Sequence, residues 1–128
     1  MTPVYLWFNA AMYAVFALGC ALRLDCTAQN LGYTALSNSA RSEYFTVYGG
    51  LQWGLALVFV WLAFKPELHR TGLLVALALY APVVLHRVIS LLRFGPVETL
   101  TKAVAGLEIA MLVIAAALWF LDRSRALV

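Results

Sequence analysis

The stretch LYAPVVLHRVISLLRFG, residues 79–95, carries the two features on which the fold and the candidate site depend. It is apolar enough to lie in lipid, and it ends at Gly95, which Pro96 follows, a pair of the kind that stops a helix. His86 and Arg87 nevertheless interrupt it. A charged side chain inside a bilayer is costly and is usually paired, so this arginine needs a partner elsewhere in the chain.

Four apolar runs of nearly equal length make up most of the chain, and the quoted stretch closes the third. About 20 apolar residues can cross the hydrocarbon core as a helix, and backbone groups in lipid must be satisfied within each segment. The runs predict an all-α membrane protein in which four antiparallel transmembrane helices form a bundle with both termini on the same side. We expect one domain over residues 1–128, with helices at about 4–22, 44–64, 71–92 and 103–121.

The composition agrees with a membrane protein. Of the residues, 64% are hydrophobic and only 12% are charged, whereas a soluble domain carries about 25% charged residues. The net charge of +3 is dispersed over the connections and forms no basic stripe, which argues against nucleic acid as a partner. The lipid bilayer is the expected partner, and the chain is predicted to be integral to a membrane.

The first connection, residues 23–43, is the only long one. It is mildly amphipathic, with Leu31 and Leu36 opposed to Asn30 and Thr34. Such a segment forms either a short helix that lies at the membrane interface and caps the bundle, or an ordered polar loop.

Arg87 has a predicted partner in the fourth run, which only Glu108 interrupts. Arg87 lies five residues before the end of the third predicted helix, and Glu108 lies five residues after the start of the fourth. At about 1.5 Å per residue, both lie about 7.5 Å below the same membrane boundary. Consecutive helices with a short connection are neighbours, so we expect the two side chains to meet. Glu108 is too short to reach the headgroups and needs Arg87, a hydroxyl or a proton.

Other polar side chains fall near the same depth and should converge on the bundle axis, because a polar stripe cannot all face lipid. Tyrosines and a glutamine recur at four-residue spacing in the second run, and a comparable stripe runs from Asn9 to Cys20 in the first. The candidate ligand-binding residues are Tyr44, Tyr48, Gln52, His86, Arg87, Ser90 and Glu108. A purely structural ion pair is the alternative interpretation.

Small residues predict where helices pack closely. Gly50 and Gly54 stand four apart in the second run, and Gly106 lies among alanines in the fourth. Small residues at this spacing let helices approach each other in membranes. We therefore expect Gly50, Gly54 and Gly106 to be helix-packing positions.

The sequence lacks the constellations that are typical of catalysis. Cys20 and Cys26 are six residues apart, which on a helix is about 9 Å and too far for a disulfide. His69 and His86 belong to opposite ends of the predicted bundle and cannot jointly hold a haem or a metal ion. With no nucleophile–base pair and no cofactor motif, we predict no catalytic residue, no metal and no cofactor, and we do not expect an enzyme.

Two motifs carry a family resemblance: SEYFTVYGGLQWGL at residues 42–55 and HRVISLLRFGPVE at residues 86–98, followed by a glutamate in the last helix. Together they resemble a bacterial family of small four-helix inner-membrane proteins, domain-of-unknown-function family 4345, over residues 41–120. The matching positions are Glu43, Tyr48, Gly49, Gly50, Arg87, Ser90, Gly95, Pro96 and Glu108. The resemblance implies a fold and a bacterial inner membrane, and no reaction. Family members often have an acidic residue before the Gly-Pro turn, where this chain has Arg93 and Phe94.

Three functions compete at this point. The first is a binding site for an amphipathic or lipid-like small molecule, with its polar head at Arg87, Glu108 and Tyr48 and its tail between helices. The second is a non-catalytic accessory subunit that docks into a larger membrane complex. The third is an ion or proton pathway formed by a homo-oligomer, a dimer. Basic residues are divided equally between the two ends of the bundle, which gives no orientation and permits dual insertion.

Overall fold

The computed structural model describes residues 1–125, and within that range every regular element is helical. The elements are α1 (Thr2–Leu22), α2 (Leu24–Asn30), α3 (Asn38–Phe64), α4 (His69–Phe94) and α5 (Thr99–Arg125). Helices α1, α3, α4 and α5 are each long and apolar enough to cross a membrane. The predicted all-α fold with four membrane-length helices is confirmed.

Helix boundaries follow local sequence chemistry. The hydroxyl of Ser37 accepts a hydrogen bond from the Ala40 backbone N–H at 3.2 Å and caps the start of α3. Gly95, with a φ of 76°, ends α4 in the left-handed region that glycine adopts without strain. A single 3-10 turn, Pro66–Leu68, links α3 to α4.

The long connection contains a helix, but not where its amphipathic pattern lies. Helix α2 occupies Leu24–Asn30, and Gly32, with a φ of 92°, lies just beyond its end. Residues 31–37, which carry the pattern, are not helical. The positive φ of Gly32 ends the helical winding, and the next helix begins only at the Ser37 cap. The residues between them are therefore not helical.

Helix α3 changes its winding halfway along. Phe45–Leu51 is π-helical, and it separates an α-helical start, Asn38–Tyr44, from an α-helical end, Gln52–Phe64. A π-helix bonds each N–H to the carbonyl five residues earlier, which widens the turn, and such segments recur at functional sites. The apolar periodicity of the sequence did not predict it.

The membrane-length helices pack mainly as two pairs, α1 with α3 and α4 with α5. The ring of Trp7, near the start of α1, meets Phe64 at the end of α3 with centroids 4.8 Å apart. The Arg70 guanidinium, near the start of α4, lies 4.8 Å from the ring centroid of Trp119 in α5. Both pairs are therefore antiparallel. We call the end with residues 65–68 the turn end, and the end with α2 and residues 95–98 the loop end.

The two pairs are in close contact at the turn end and separate toward the loop end. A Cβ at Gly72 in α4 would lie 2.8 Å from both methyl carbons of Leu6 in α1, and Leu6 and Leu73 are fully buried there. Beyond Tyr80, none of the described residues 81–94 of α4 is buried. The change falls beside Pro82, whose nitrogen cannot donate the usual helical hydrogen bond.

Candidate functional site

A cavity of about 730 Å³ lies in the loop-end half of the bundle, where the two pairs separate. All four membrane-length helices line it, together with α2 and residues 96–98. Its volume falls within the range of about 300–1,000 Å³ that is usual for small-molecule sites. Many of the lining side chains are aliphatic, and the polar ones come from all four membrane-length helices and from the two connections at the loop end.

The Arg87–Glu108 ion pair forms one wall of the cavity. The Arg87 Nε and Nη2 groups donate to Glu108 Oε2 and Oε1, each at 2.9 Å. The Arg87 side chain is 29% exposed and that of Glu108 is 15% exposed, and both line the cavity. The equal depth of the two residues in the sequence predicts this contact, and the structure confirms it. A bidentate arginine–carboxylate pair is the strongest form of such a bond.

Aromatic side chains of α3 and of the long connection form another part of the cavity wall. The ring of Tyr44, which is buried, stacks on that of Tyr48 at 4.5 Å, and Tyr33 meets Tyr44 edge-on at 5.8 Å. The Cys20 Sγ lies 3.7 Å from the Tyr44 hydroxyl. Tyr44 ends the first α-helical part of α3 and Tyr48 lies in the π-helical part, so the change of winding occurs in this wall.

Gln52 follows Tyr48 and also lines the cavity. Its Oε1 atom is buried and has no hydrogen-bond partner within the described structure. A buried acceptor without a partner is destabilising by about 1–3 kcal/mol, and native structures contain few of them. The cavity wall therefore holds a polar group whose hydrogen bonding the protein leaves incomplete.

A second group of polar side chains lies at the floor of the cavity and is fully connected. The Tyr80 hydroxyl donates to Asn9 Oδ1 at 2.6 Å, and Asn9 Nδ2 donates to the Tyr5 carbonyl oxygen at 2.8 Å. The Tyr5 hydroxyl donates to the Met111 carbonyl oxygen at 3.0 Å. Asn9, Tyr80 and Tyr5 are all buried. We call these three residues the closed network; it joins α1 to α4 and α5.

The structure brings most of the predicted site residues together. Those that line the cavity are Tyr44, Tyr48, Gln52, Arg87, Ser90 and Glu108. His86 does not: it is exposed, and its Nδ1 lies 2.9 Å from the Pro82 carbonyl oxygen. Neighbouring residues of an α-helix point about 100° apart, so a helix that turns Arg87 inward turns His86 outward.

The glycines that were predicted to pack helices face away from the bundle. Gly50, Gly54 and Gly106 are exposed, and among the described residues no atom of a neighbouring element lies within 4 Å of a Cβ placed on any of them. Their predicted packing does not occur within this chain. Gly72 permits the close approach instead; it stands four residues before Ala76, the same small-residue spacing, and was not among the predicted packing positions.

Several lining residues have no signal in the sequence. Thr27, Asn30 and Tyr33 reach the cavity because the long connection folds over the loop end, which no periodicity encodes. Tyr80 lies in an apolar run and is recognisable only by its buried hydroxyl. Among the described residues, no three His, Cys, Asp or Glu side chains are grouped so that they could hold a metal ion.

The sequence comparisons supply a family and no activity. A family model described as a domain of unknown function, DUF4345, matches residues 1–121. The match includes α1, which lies outside the stretch on which the resemblance rested. No curated protein and no solved structure is significantly similar to the chain.

Proposed function

The chain belongs to the DUF4345 family, and we propose that it is an integral membrane protein that binds an amphipathic, lipid-like small molecule in the loop-end cavity. The polar head lies at Arg87, Glu108, Tyr48 and Gln52, and the tail lies between the helix pairs. We further propose the bacterial inner membrane as its location. Four membrane-length helices support a membrane location, and the resemblance of the motifs supports that particular membrane.

One observation carries the proposal: the polar layer borders empty volume instead of packed side chains. A layer that serves only packing is expected to be filled and fully hydrogen-bonded, because unpaired polar groups in hydrocarbon are costly. Here a cavity of about 730 Å³ adjoins the ion pair, and the Gln52 oxygen lacks a partner. Largely apolar walls with a few convergent polar groups are typical of small-molecule sites.

The route into the cavity supports a ligand drawn from the bilayer. Three lining residues from different helices, Val15, Leu51 and Leu100, are 70%, 56% and 41% exposed. These apolar side chains belong both to the cavity wall and to the outer surface, which supports a lateral opening between the helices. A lipid-like molecule can pass through such an opening without crossing water.

Native mass spectrometry of gently extracted protein tests the proposal. Wild-type protein should carry a lipid or metabolite adduct, and Arg87→Leu/Glu108→Leu should lose it while remaining folded. Asp25→Leu/Arg41→Leu is the matched control, since it removes an Arg–carboxylate ion pair that is exposed and outside the cavity. This control should keep the adduct. An adduct that survives in the cavity variant, or none in the wild type, would contradict the proposal.

A second candidate is a non-catalytic accessory subunit, and the outward glycines favour it. Gly50, Gly54 and Gly106 leave flat exposed helix surface that nothing in the described chain covers. Small residues on such a surface suit contact with another membrane helix. Co-purification of a fixed partner that Gly54→Leu releases, with the adduct unchanged, would support this function.

A further inference from the structure

The charge of the cavity limits the kind of head that it can hold. Among the described lining residues, three are acidic or basic: Arg87, Glu108 and Glu98. Arg87 and Glu108 neutralise each other, and Glu98 is exposed in the connection between α4 and α5. The lining therefore has no surplus of positive charge. A surplus of positive charge favours the binding of a phosphate or carboxylate head, and this lining does not supply it.

The geometry of the ion pair strengthens this limit. Glu108 holds two donor groups of Arg87, one on each carboxylate oxygen. An anionic head would have to break this bidentate contact and would then lie beside the Glu108 carboxylate. A cationic head would meet the Arg87 guanidinium in the same way. An uncharged head leaves the pair intact and encounters no like charge.

Gln52 indicates what the uncharged head should offer. Its oxygen has no partner within the described residues, although its side chain lines the cavity. A rotation of this flexible side chain would bring the amide to a donor in the cavity and satisfy the oxygen. A hydroxyl or amide N–H group on the ligand supplies that donor, and a hydrocarbon alone does not.

From these observations we infer that the ligand is an uncharged amphiphile with an apolar tail, whose hydroxyl- or amide-bearing head donates a hydrogen bond to Gln52. The inference rests on the proposed function and narrows it to a chemical class. Charged phospholipids and free fatty acids are outside that class, although they are abundant in a bilayer.

Three probes with one shared tail test the inference: monooleoylglycerol, oleate and oleylamine. They differ in head charge, which is zero, negative and positive in mildly alkaline buffer. Titration of each into detergent-solubilised wild type, followed by native mass spectrometry, gives their relative affinities. We expect monooleoylglycerol to bind at least tenfold more tightly than either charged probe, and Gln52→Leu to weaken it about tenfold without loss of fold.

A charge variant gives the decisive contrast. Glu108→Gln leaves the Arg87 charge unneutralised and keeps an oxygen to accept its hydrogen bond, so oleate should gain at least tenfold in affinity. Glu67→Gln is the matched control: it makes the same charge change on an exposed residue at the turn end, outside the cavity. It should leave the order of the three probes unchanged.

The possible outcomes separate the two proposals. Equal binding of all three probes, or tighter binding of oleate or oleylamine to the wild type, overturns the inference and leaves a lipid-like ligand standing. An order that Glu108→Gln does not change also overturns it. Binding of none of the probes, together with no native adduct, overturns the proposed function as well.

Discussion

The closed network and a second polar region, Arg87, Glu108 and Gln52, which we call the cavity layer, both place polar side chains inside the bundle. They differ in how completely those side chains are hydrogen-bonded. In the closed network, the Tyr80 hydroxyl, the Asn9 amide and the Tyr5 hydroxyl each have a partner at 2.6–3.0 Å, and the three residues are buried. In the cavity layer, the ion pair is partly exposed and the Gln52 oxygen has no partner among the described residues. The first region uses polar groups to join helices. The second lines a cavity with them and leaves one buried oxygen unpaired among the described residues.

The difference follows from where the helix pairs meet. At the turn end, Gly72 lets α4 approach α1 until only Leu6 fits between them. Beside Pro82 this contact ends, and the loop-end half of α4 has no buried residue within 81–94. Polar side chains on the turn-end side of Pro82 can reach each other across the bundle. Those on the loop-end side border the cavity and can reach a ligand.

The largest effect is expected at Glu108. Glu108→Ala leaves the Arg87 guanidinium unpaired in a partly buried position and should lower the free energy of unfolding by about 3 kcal/mol or more. Arg87→Leu/Glu108→Leu should be much milder, because neither charge remains. A double-mutant cycle on thermal stability in detergent measures the coupling. Independent effects of the two substitutions would show that the pair does not stabilise the fold.

The next effect is expected in the closed network. Asn9→Leu removes the acceptor of the buried Tyr80 hydroxyl and should lower the free energy of unfolding by about 2 kcal/mol. Adding Tyr80→Phe should restore part of this loss, since the orphaned hydroxyl is then absent. Native mass spectrometry on the same variants should show an unchanged adduct. Loss of the adduct in Asn9→Leu would erase the distinction between the two regions.

Gly72 tests the close contact that seals the turn end. Gly72→Ala places a methyl group 2.8 Å from the Leu6 methyl carbons, so the fully buried Leu6 side chain has to shift. We expect the free energy of unfolding in detergent to fall by about 1.5 kcal/mol, as is usual for overpacking. Gly54→Ala is the control, because its Cβ would meet no other residue within the described chain and alanine favours helix. Equal destabilisation by both substitutions would show that the close contact of Gly72 with Leu6 does not matter for stability.

The smallest effect has the opposite sign. Gln52→Leu removes a buried acceptor that has no partner among the described residues. It should raise the free energy of unfolding of delipidated protein by about 1 kcal/mol. The same variant should bind the adduct more weakly. A residue that lowers stability in favour of binding is typical of functional sites. Lower stability in delipidated Gln52→Leu would mean that the glutamine is structural.

The sequence predicted more of the fold than of the contrast between the two regions. Four apolar runs fixed the helices, and equal depth below one boundary placed Arg87 opposite Glu108. Polarity and spacing also selected six of the residues that line the cavity. They gave the same weight to His86, although helix rotation turns it outward.

The features that the sequence did not predict depend on distances between helices. The sequence does not say that Gly72 contacts Leu6 while Gly54 contacts no neighbour, since both are glycines in apolar runs. It also does not encode the π-helical turn at Phe45–Leu51 or the folding of the long connection over the loop end. These features decide whether a polar stripe is closed or borders a cavity.

An experimental structure of protein extracted from membranes without added lipid tests the central claim most directly. We predict elongated density between the two helix pairs, with its polar end within hydrogen-bond distance of the Gln52 side chain and beside the Arg87–Glu108 pair. The density should stay on the loop-end side of Tyr80, and no foreign molecule should lie among the residues of the closed network. Helix pairs that close on each other, with the cavity filled by side chains and Gln52 hydrogen-bonded within the protein, would contradict the account.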